Sequence, residues 1–424
     1  MHWANLVALI ASSPFALASR DVQSRLVPAA HPANPIPDHA ALDAPPYRAE
    51  LLKLLQSLVS IPSAEETENR IGLFLADYLR GEGYGVELQP VPAQDEHPDV
   101  APRYNVLAWR GERRPARKVL VTSHIDVVPP QIPWHMPDGE VVTRATVISG
   151  RGTADAKGSV AAMILAAKQL RESGALGGGG NGGEEDDDVM LLFVVGEETR
   201  GDGMAAFSAS LDALSPRPQF GSVIFGEPTE NKLACGHKGG LFCSLWAAGK
   251  AGHSGYPELG KSANELMVRA WAKILDADLG SSELFGNTTI NIGRFDGGVA
   301  ANVIPASAFV GFATRVASGS EKEGHIEVRR KIEAILDEVD REAFTLECGH
   351  GYGPYMCDCD VEGFGTIVAN YGTDIPNLGG NHTRYLYGPG SILVAHGDGE
   401  QVTVGDLETA VEDFQKLILH ALKQ

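Results

Sequence analysis

No stretch of this chain approaches the roughly twenty consecutive apolar residues of a membrane span, so nothing in it reads as a transmembrane helix. Positive charge is also short: 35 Lys and Arg stand against 55 Asp and Glu, a net charge of −20. Nucleic-acid phosphates are held by clustered Lys and Arg, so this balance argues against a nucleic-acid partner. Cysteine is sparse, and its count of five leaves at least one without a partner in the same chain. Cys357-Asp358-Cys359 is spaced too closely for an ordinary zinc knuckle, and no second pair follows at a suitable distance. One or two disulfides are compatible with these positions, but their pairing is not readable. There is no internal repeat.

What is present is a 424-residue chain with 43% hydrophobic and 21% charged residues, ordinary for a globular protein and long enough for two domains. It begins MHWANLVALIASSPFALASR, a short apolar core followed by small residues, though with no Lys or Arg ahead of the core. Residues 1–19 read as a secretory signal, the alternative being an N-terminal core helix. The Pro- and Ala-rich residues 20–46 read as a flexible leader or propeptide. Secretion gives meaning to two glycosylation sequons, at Asn287 and Asn381.

The apolar spacing predicts helices through Leu51–Leu58 and 65–81, then short strands at 86–88, 105–109 and 119–121. A helix follows at 159–168, then strands at 189–195 and 222–225, and a last helix at 407–422. Helices alternating with short buried strands predict an α/β sheet covered on both faces. The glycine- and acid-rich run 173–188 reads as a surface insert. From His237 the pattern changes to strand, helix, two strands, helix, most of a ferredoxin-like βαββαβ unit. The predicted organisation is a catalytic domain of residues 47–236 and 351–424, interrupted by an inserted domain of residues 237–350.

Three strands predicted in the first domain end in groups that can carry chemistry. The run 119–123 stops on His124-Ile125-Asp126, whose two polar side chains point the same way on extended backbone. His124 can ligate a metal while Asp126 accepts its other ring N–H; the alternative is a satisfied polar pair at a strand end. The other two strands stop on Glu197-Glu198 and Glu227. The C-terminal ends of strands are where α/β sheets bind ligands. The glycine-rich run around Asp155 is not a phosphate loop, because its Gly, Lys and Ser/Thr are in the wrong order.

Seven motifs, SHIDVVP, GRGTADAKGS, VVGEETRGDGM, FGEPT, GKAGHSGYPELGKSAN, GGVAANVIP and YGPGSILVAHGDGE, together resemble the two-zinc peptidases that include aminoacylase, acetylornithine deacetylase, succinyl-diaminopimelate desuccinylase and glutamate carboxypeptidase. The resemblance covers roughly residues 47–424 and is nearest to the secreted carboxypeptidase members. It implies a mixed-sheet α/β zinc-exopeptidase domain with an inserted lid or dimerisation domain, two Zn²⁺ per subunit, and a possible homodimer through the insert. It further implies Asp155 as the bridging ligand, His124 and Glu227 on one zinc, Glu198 and His396 on the other, and Glu197 as general base. Asp126 becomes the orienter of His124, and His253 the group that stabilises the oxyanion. Asn302, Arg315 and Arg384 are the candidates for substrate contact, with Arg384 slightly favoured over Arg315. Two departures stand out: Asn381-His382-Thr383-Arg384 lies where relatives often carry Thr-Asp-x-Arg, and Ala313 lies where they commonly carry Asp. The implied function is hydrolysis of C-terminal peptide bonds by metal-activated water. An aminoacylase-like hydrolase of N-acyl amino acids is the alternative within hydrolases. A binding protein that kept the fold is the non-enzymatic alternative.

Overall fold

The computed structural model describes residues 44–64, 67–92, 101–111, 117–139, 141–176 and 188–424. The expected secretory signal, nearly all of the leader and most of the glycine- and acid-rich run therefore lie outside the described residues. Among those described, no helix is long and apolar enough to cross a membrane.

A six-stranded mixed sheet is ordered Gly85–Val91, Arg103–Trp109, Val189–Val194, Val119–His124, Ser222–Gly226, Thr383–Tyr387. The first two strands run antiparallel to their neighbours, whereas the last four are mutually parallel. Residues of alternate parity in the central strands enter different cores. Val119, Val121, Leu191 and Phe193 pack with the helices Arg48–Ser60, Asn69–Gly81, Lys157–Glu172 and Val404–Ala421. Leu120, Met190, Leu192 and Val223 pack against Phe207 and Leu211 of the helix Asp202–Asp212 on the other face. Burial on both faces explains why these strands read as continuous apolar runs, and the mixed sheet agrees with expectation. The last helix is started by a capping box in which Thr403 Oγ1 accepts from the Asp406 amide and the Asp406 carboxylate accepts from Thr403 N.

The inserted residues form a second sheet of four antiparallel strands in the order Thr289–Gly297, Ser307–Val316, Gly239–Ala248, Phe344–Cys348. With the helices Ala263–Asp276 and Gly324–Val339 this is a complete βαββαβ unit. Leu241, Leu245, Val310 and Phe312 face Met267, Trp271, Val328 and Ile332, while Phe242 and Trp246 lie exposed on the opposite face. The final strand and the helix Asp202–Asp212 went unread in the sequence, being short or flanked by Gly and Ser.

Two disulfides tie the insert and its flank. Cys243 and Cys348 sit opposite one another on adjacent strands, and Cys235 joins Cys359. Cys357 is a buried free thiol. Alkylation of unfolded, unreduced protein should therefore label one cysteine, mapped to Cys357, and reduction should expose the other four. Three or five labels before reduction would contradict this pairing.

Candidate metal centre

The parallel strands deliver the site at one end of the sheet, the arrangement expected of a doubly wound α/β core. His124 is the last residue of its strand, Glu197 and Glu198 follow the strand Val189–Val194, and Glu227 follows Ser222–Gly226. His396 lies in the loop after Thr383–Tyr387, and Asp155 just before the helix Lys157–Glu172. The strand carrying Glu227 and the loop after the outer strand approach so closely that a Cβ on Gly388 would stand 2.4 Å from the Glu227 carbonyl oxygen, so only glycine fits there.

Asp155 is buried at the centre. Its Oδ1 lies 3.1 Å from His124 Nε2 and its Oδ2 lies 3.3 Å from His396 Nε2. Glu227 Oε1 is 3.9 Å from His124 Nε2, and Glu198 Oε2 is 2.9 Å from His396 Nε2. The five residues assigned as ligands from the resemblance thus fall into two groups that share Asp155. Ligand atoms of His124, Asp155 and Glu198 all lie within 4.8 Å of one another, close enough to hold a metal ion. His396 adopts a left-handed backbone with φ 62°, uncommon for a residue other than glycine.

The electrostatics of the cluster are those of a site short of positive charge. Burial, and then the charge of Glu227, push Glu197 well above the usual carboxylate range; burial also raises Glu227 and Glu198. Burial works against protonation of His124, but its contacts with Asp126 and Asp155 and the charge of Glu227 outweigh this and hold it well above the usual imidazole range. Bonds to Asp155 and Glu198 raise His396 to about 10. Two imidazoles and four carboxylates facing a common centre suit hard or borderline divalent cations, and such a cation would relieve the crowding of like charge.

Asp126 works differently from expectation. His124 Nδ1 meets the backbone carbonyl of Asp126 at 3.0 Å, whereas the carboxylate Oδ1 is 3.6 Å away. The carboxylate instead accepts the amides of Glu197 at 3.2 Å and Glu198 at 3.0 Å. Asp126 therefore fixes the histidine through its backbone and the Glu197-Glu198 loop through its side chain. The two glutamates diverge as adjacent side chains must: Glu198 meets His396, while Glu197 feels the charges of Glu227, His124 and Asp374.

Other assignments fare variously. Arg384 is corrected: it is paired with Glu321 and stacked on Tyr355, 4.9 Å from its ring centroid. Arg384 sits opposite Val223, near the start of strands whose far ends carry the ligands, because Tyr387 is the residue opposite Gly226. Arg315 lies 5.8 Å from the Phe242 ring centroid and has no carboxylate partner among the described residues. His253 and Asn302 are exposed and adjacent, the Ser254 amide donating to the Asn302 carbonyl at 3.0 Å. Asn287 and Asn381 are both exposed.

Sequence reading missed Asp374. This buried carboxylate follows Thr373 and accepts from Asn377, and its Oδ2 has no hydrogen-bond partner among the described residues. Burial raises it to about 7. Its charge acts on Glu197 and Glu227, and it falls outside every motif that carries the resemblance.

Comparison with known proteins agrees with this architecture. The family model for a peptidase dimerisation domain, M20_dimer, matches residues 235–343. A "Peptidase M20 domain-containing protein" of Sordaria macrospora is 53% identical over 399 residues, covering 90% of this chain and 86% of that one. A "probable carboxypeptidase" of Aspergillus flavus is 44% identical over 395 residues, covering 88% of each. Among solved structures, an M20 family metallo-carboxypeptidase from Sulfolobus solfataricus aligns with TM-score 0.67 at 15% identity, covering 88% of this chain and all (100%) of that one. A tripeptidase from Staphylococcus aureus aligns with TM-score 0.66 at 20% identity, covering 89% and 99%.

Because Asp126 seats two backbone amides, Asp126→Asn should fold but present an NH₂ to one of them. Turnover should fall by about 10–100-fold, measured as kcat on any cleaved peptide; an unchanged kcat would contradict this role.

Proposed function

This chain belongs to the M20 peptidase family, and we propose that it is a secreted, zinc-dependent carboxypeptidase that hydrolyses the C-terminal peptide bond of small peptides. The observation that carries this reading is the shared Asp155, with each carboxylate oxygen facing a different imidazole: 3.1 Å to His124 and 3.3 Å to His396. Such a bridge, flanked by Glu227 and Glu198, fits two cations per subunit. When bound, these ions would supply Lewis-acid polarisation of the scissile carbonyl and acidify water at the site.

The chain's own residues then have distinct tasks. Glu197 takes the proton of the attacking water and delivers it to the departing nitrogen, so that the C–N bond breaks without a covalent enzyme intermediate. Its confined position beside Glu227 keeps it near the reacting bond and out of bulk water.

Arg315 supports the choice of a substrate with a free carboxylate. A Cβ on Gly372 would lie 2.1 Å from Tyr352 Oη and 3.5 Å from Arg315 Nη1, so the two side chains meet over that glycine. The same loop carries Tyr371, whose hydroxyl donates to the Pro228 carbonyl at 3.1 Å, directly after Glu227. A guanidinium beside the site matches a carboxylate through paired hydrogen bonds. Arg384, already neutralised by Glu321, has no such capacity.

His253 and Asn302 complete the site from a second copy of the chain, His253 donating to the developing oxyanion. Support comes from the matched dimerisation domain, the exposed edge strand Thr289–Gly297, and the exposed Val268 and Leu275 on the helix Ala263–Asp276. Secretion is supported by the two disulfides, which persist in oxidising compartments, and by the exposure of both sequon asparagines.

Release of amino acids from C-terminally varied peptides, their C-terminal amides and N-acyl amino acids tests the reading. Peptides with a free carboxylate should be cleaved and the amides should not. Arg315→Met should raise KM by about 10–100-fold, the worth of a charged hydrogen bond, while Arg384→Met leaves it unchanged. Efficient cleavage of the amides would overturn carboxylate recognition, and activity confined to N-acyl amino acids would favour the aminoacylase alternative.

A further inference from the structure

The cluster of ligands rests on a second, fully buried pair of charges. Glu400 and Arg151 are each 1% exposed, and Arg151 Nη1 donates to Glu400 Oε2 at 2.7 Å. Burying an ion pair is costly in itself and weak evidence of stabilisation, so its connections matter more than its presence. The other oxygen of Glu400 accepts three backbone amides from one loop: Gly152 at 2.8 Å, Ala154 at 3.1 Å and Asp155 at 3.1 Å. The backbone carbonyl of Glu400 takes a fourth, from Gly150 at 3.1 Å. Arg151 reaches in two further directions, from Nη1 to the Gly397 carbonyl at 3.2 Å and from Nε to the Pro130 carbonyl at 3.3 Å.

Three chain segments converge on this one pair. Pro130 lies six residues beyond His124, Gly397 directly follows His396, and the loop gripped by Glu400 ends at Asp155 itself. Successive amides turned toward one anion form a nest, here filled by a carboxylate of the same chain. Holding the amide of Asp155 fixes its backbone on the N-terminal side, and with it the direction in which the carboxylate is presented. The bond from Arg151 to Gly397 anchors the backbone immediately after the left-handed His396.

We propose that Glu400, acting with Arg151, is a positioning residue for the metal centre: it sets Asp155 and His396 at the separation that two cations require. This rests on the reading of Asp155 as the bridging ligand. Glu400 touches no substrate and no reacting atom, and works only through the loops it joins.

The test is zinc binding to metal-stripped full-length protein, measured by competition with a chromophoric chelator, together with the melting midpoint of the metal-free form. Glu400→Ala should weaken zinc binding by about 10–100-fold, as loss of a residue that orients metal ligands does. Glu400→Gln, which keeps an acceptor for the amides, should give an intermediate loss and serves as the deciding variant if Glu400→Ala does not fold. Glu408→Gln is the control. Glu408 is another buried acid, paired with Arg48 and Arg144 away from the site. This control should lower the melting midpoint and leave zinc affinity native, which separates positioning from general destabilisation. Native zinc affinity in folded Glu400→Ala, or in Glu400→Gln where the alanine variant fails to fold, would overturn the inference. Native protein that takes up no zinc would overturn the underlying metal reading, and the inference with it.

Discussion

The rest of the structure depends on holding the Asp155 carboxylate, buried, between two imidazoles. A carboxylate removed from water is costly unless several groups stabilise its charge. Here the burden is shared by His124 and His396, whose bonds outweigh the effect of burial and keep Asp155 well below its ordinary range. Surrounding it with Glu197, Glu198 and Glu227 makes the pocket electrostatically incomplete, and that incompleteness is the clearest chemical statement the fold makes. Cations in the space between these four acids would relieve the repulsion that gathering them at one end of a sheet creates.

The scaffold meets this requirement by fixing backbone before side chain. Strand ends place His124, Glu197, Glu198 and Glu227, and buried polar groups then lock the loops that the strands cannot reach. The Asp126 carboxylate seats the amides of both glutamates. Arg103, buried and paired with Glu68 and Asp202, braces the same region from the strand side. Glu400 and Arg151 do the corresponding work beneath Asp155 and His396. Each device is a charged side chain satisfied largely by backbone groups or an opposite charge, which lets a charge be buried without being orphaned.

The sequence was informative where the relevant physics is local. Apolar runs that stop on an acid or a histidine are visible residue by residue, so the central strands and most of the βαββαβ insert could be placed from the chain, whereas Asp155 and His396 end no such run and were marked only by the family resemblance. Pairing at long range was less accessible. The cysteines could not be matched, because the partners lie 124 and 105 residues apart. Arg384 was favoured over Arg315 because nothing local shows which end of a strand faces the site, or that Glu321 waits across from it. Asp374 is set off from the nearest apolar run by Asn370-Tyr371-Gly372-Thr373, so nothing local marks it as part of the cluster. The role of Glu400 needs the knowledge that residues about 245–248 positions earlier come to lie against it.

If Asp155 is the shared ligand, two cations must lie on either side of its carboxylate. Anomalous diffraction at the zinc edge, from crystals of zinc-reconstituted Glu197→Gln protein, tests it most directly, since this variant should keep the ligands while halting turnover. Two peaks should flank Asp155, one beside His124 and Glu227 and the other beside Glu198 and His396. No peak at Asp155, or zinc bound only at other residues, would contradict it.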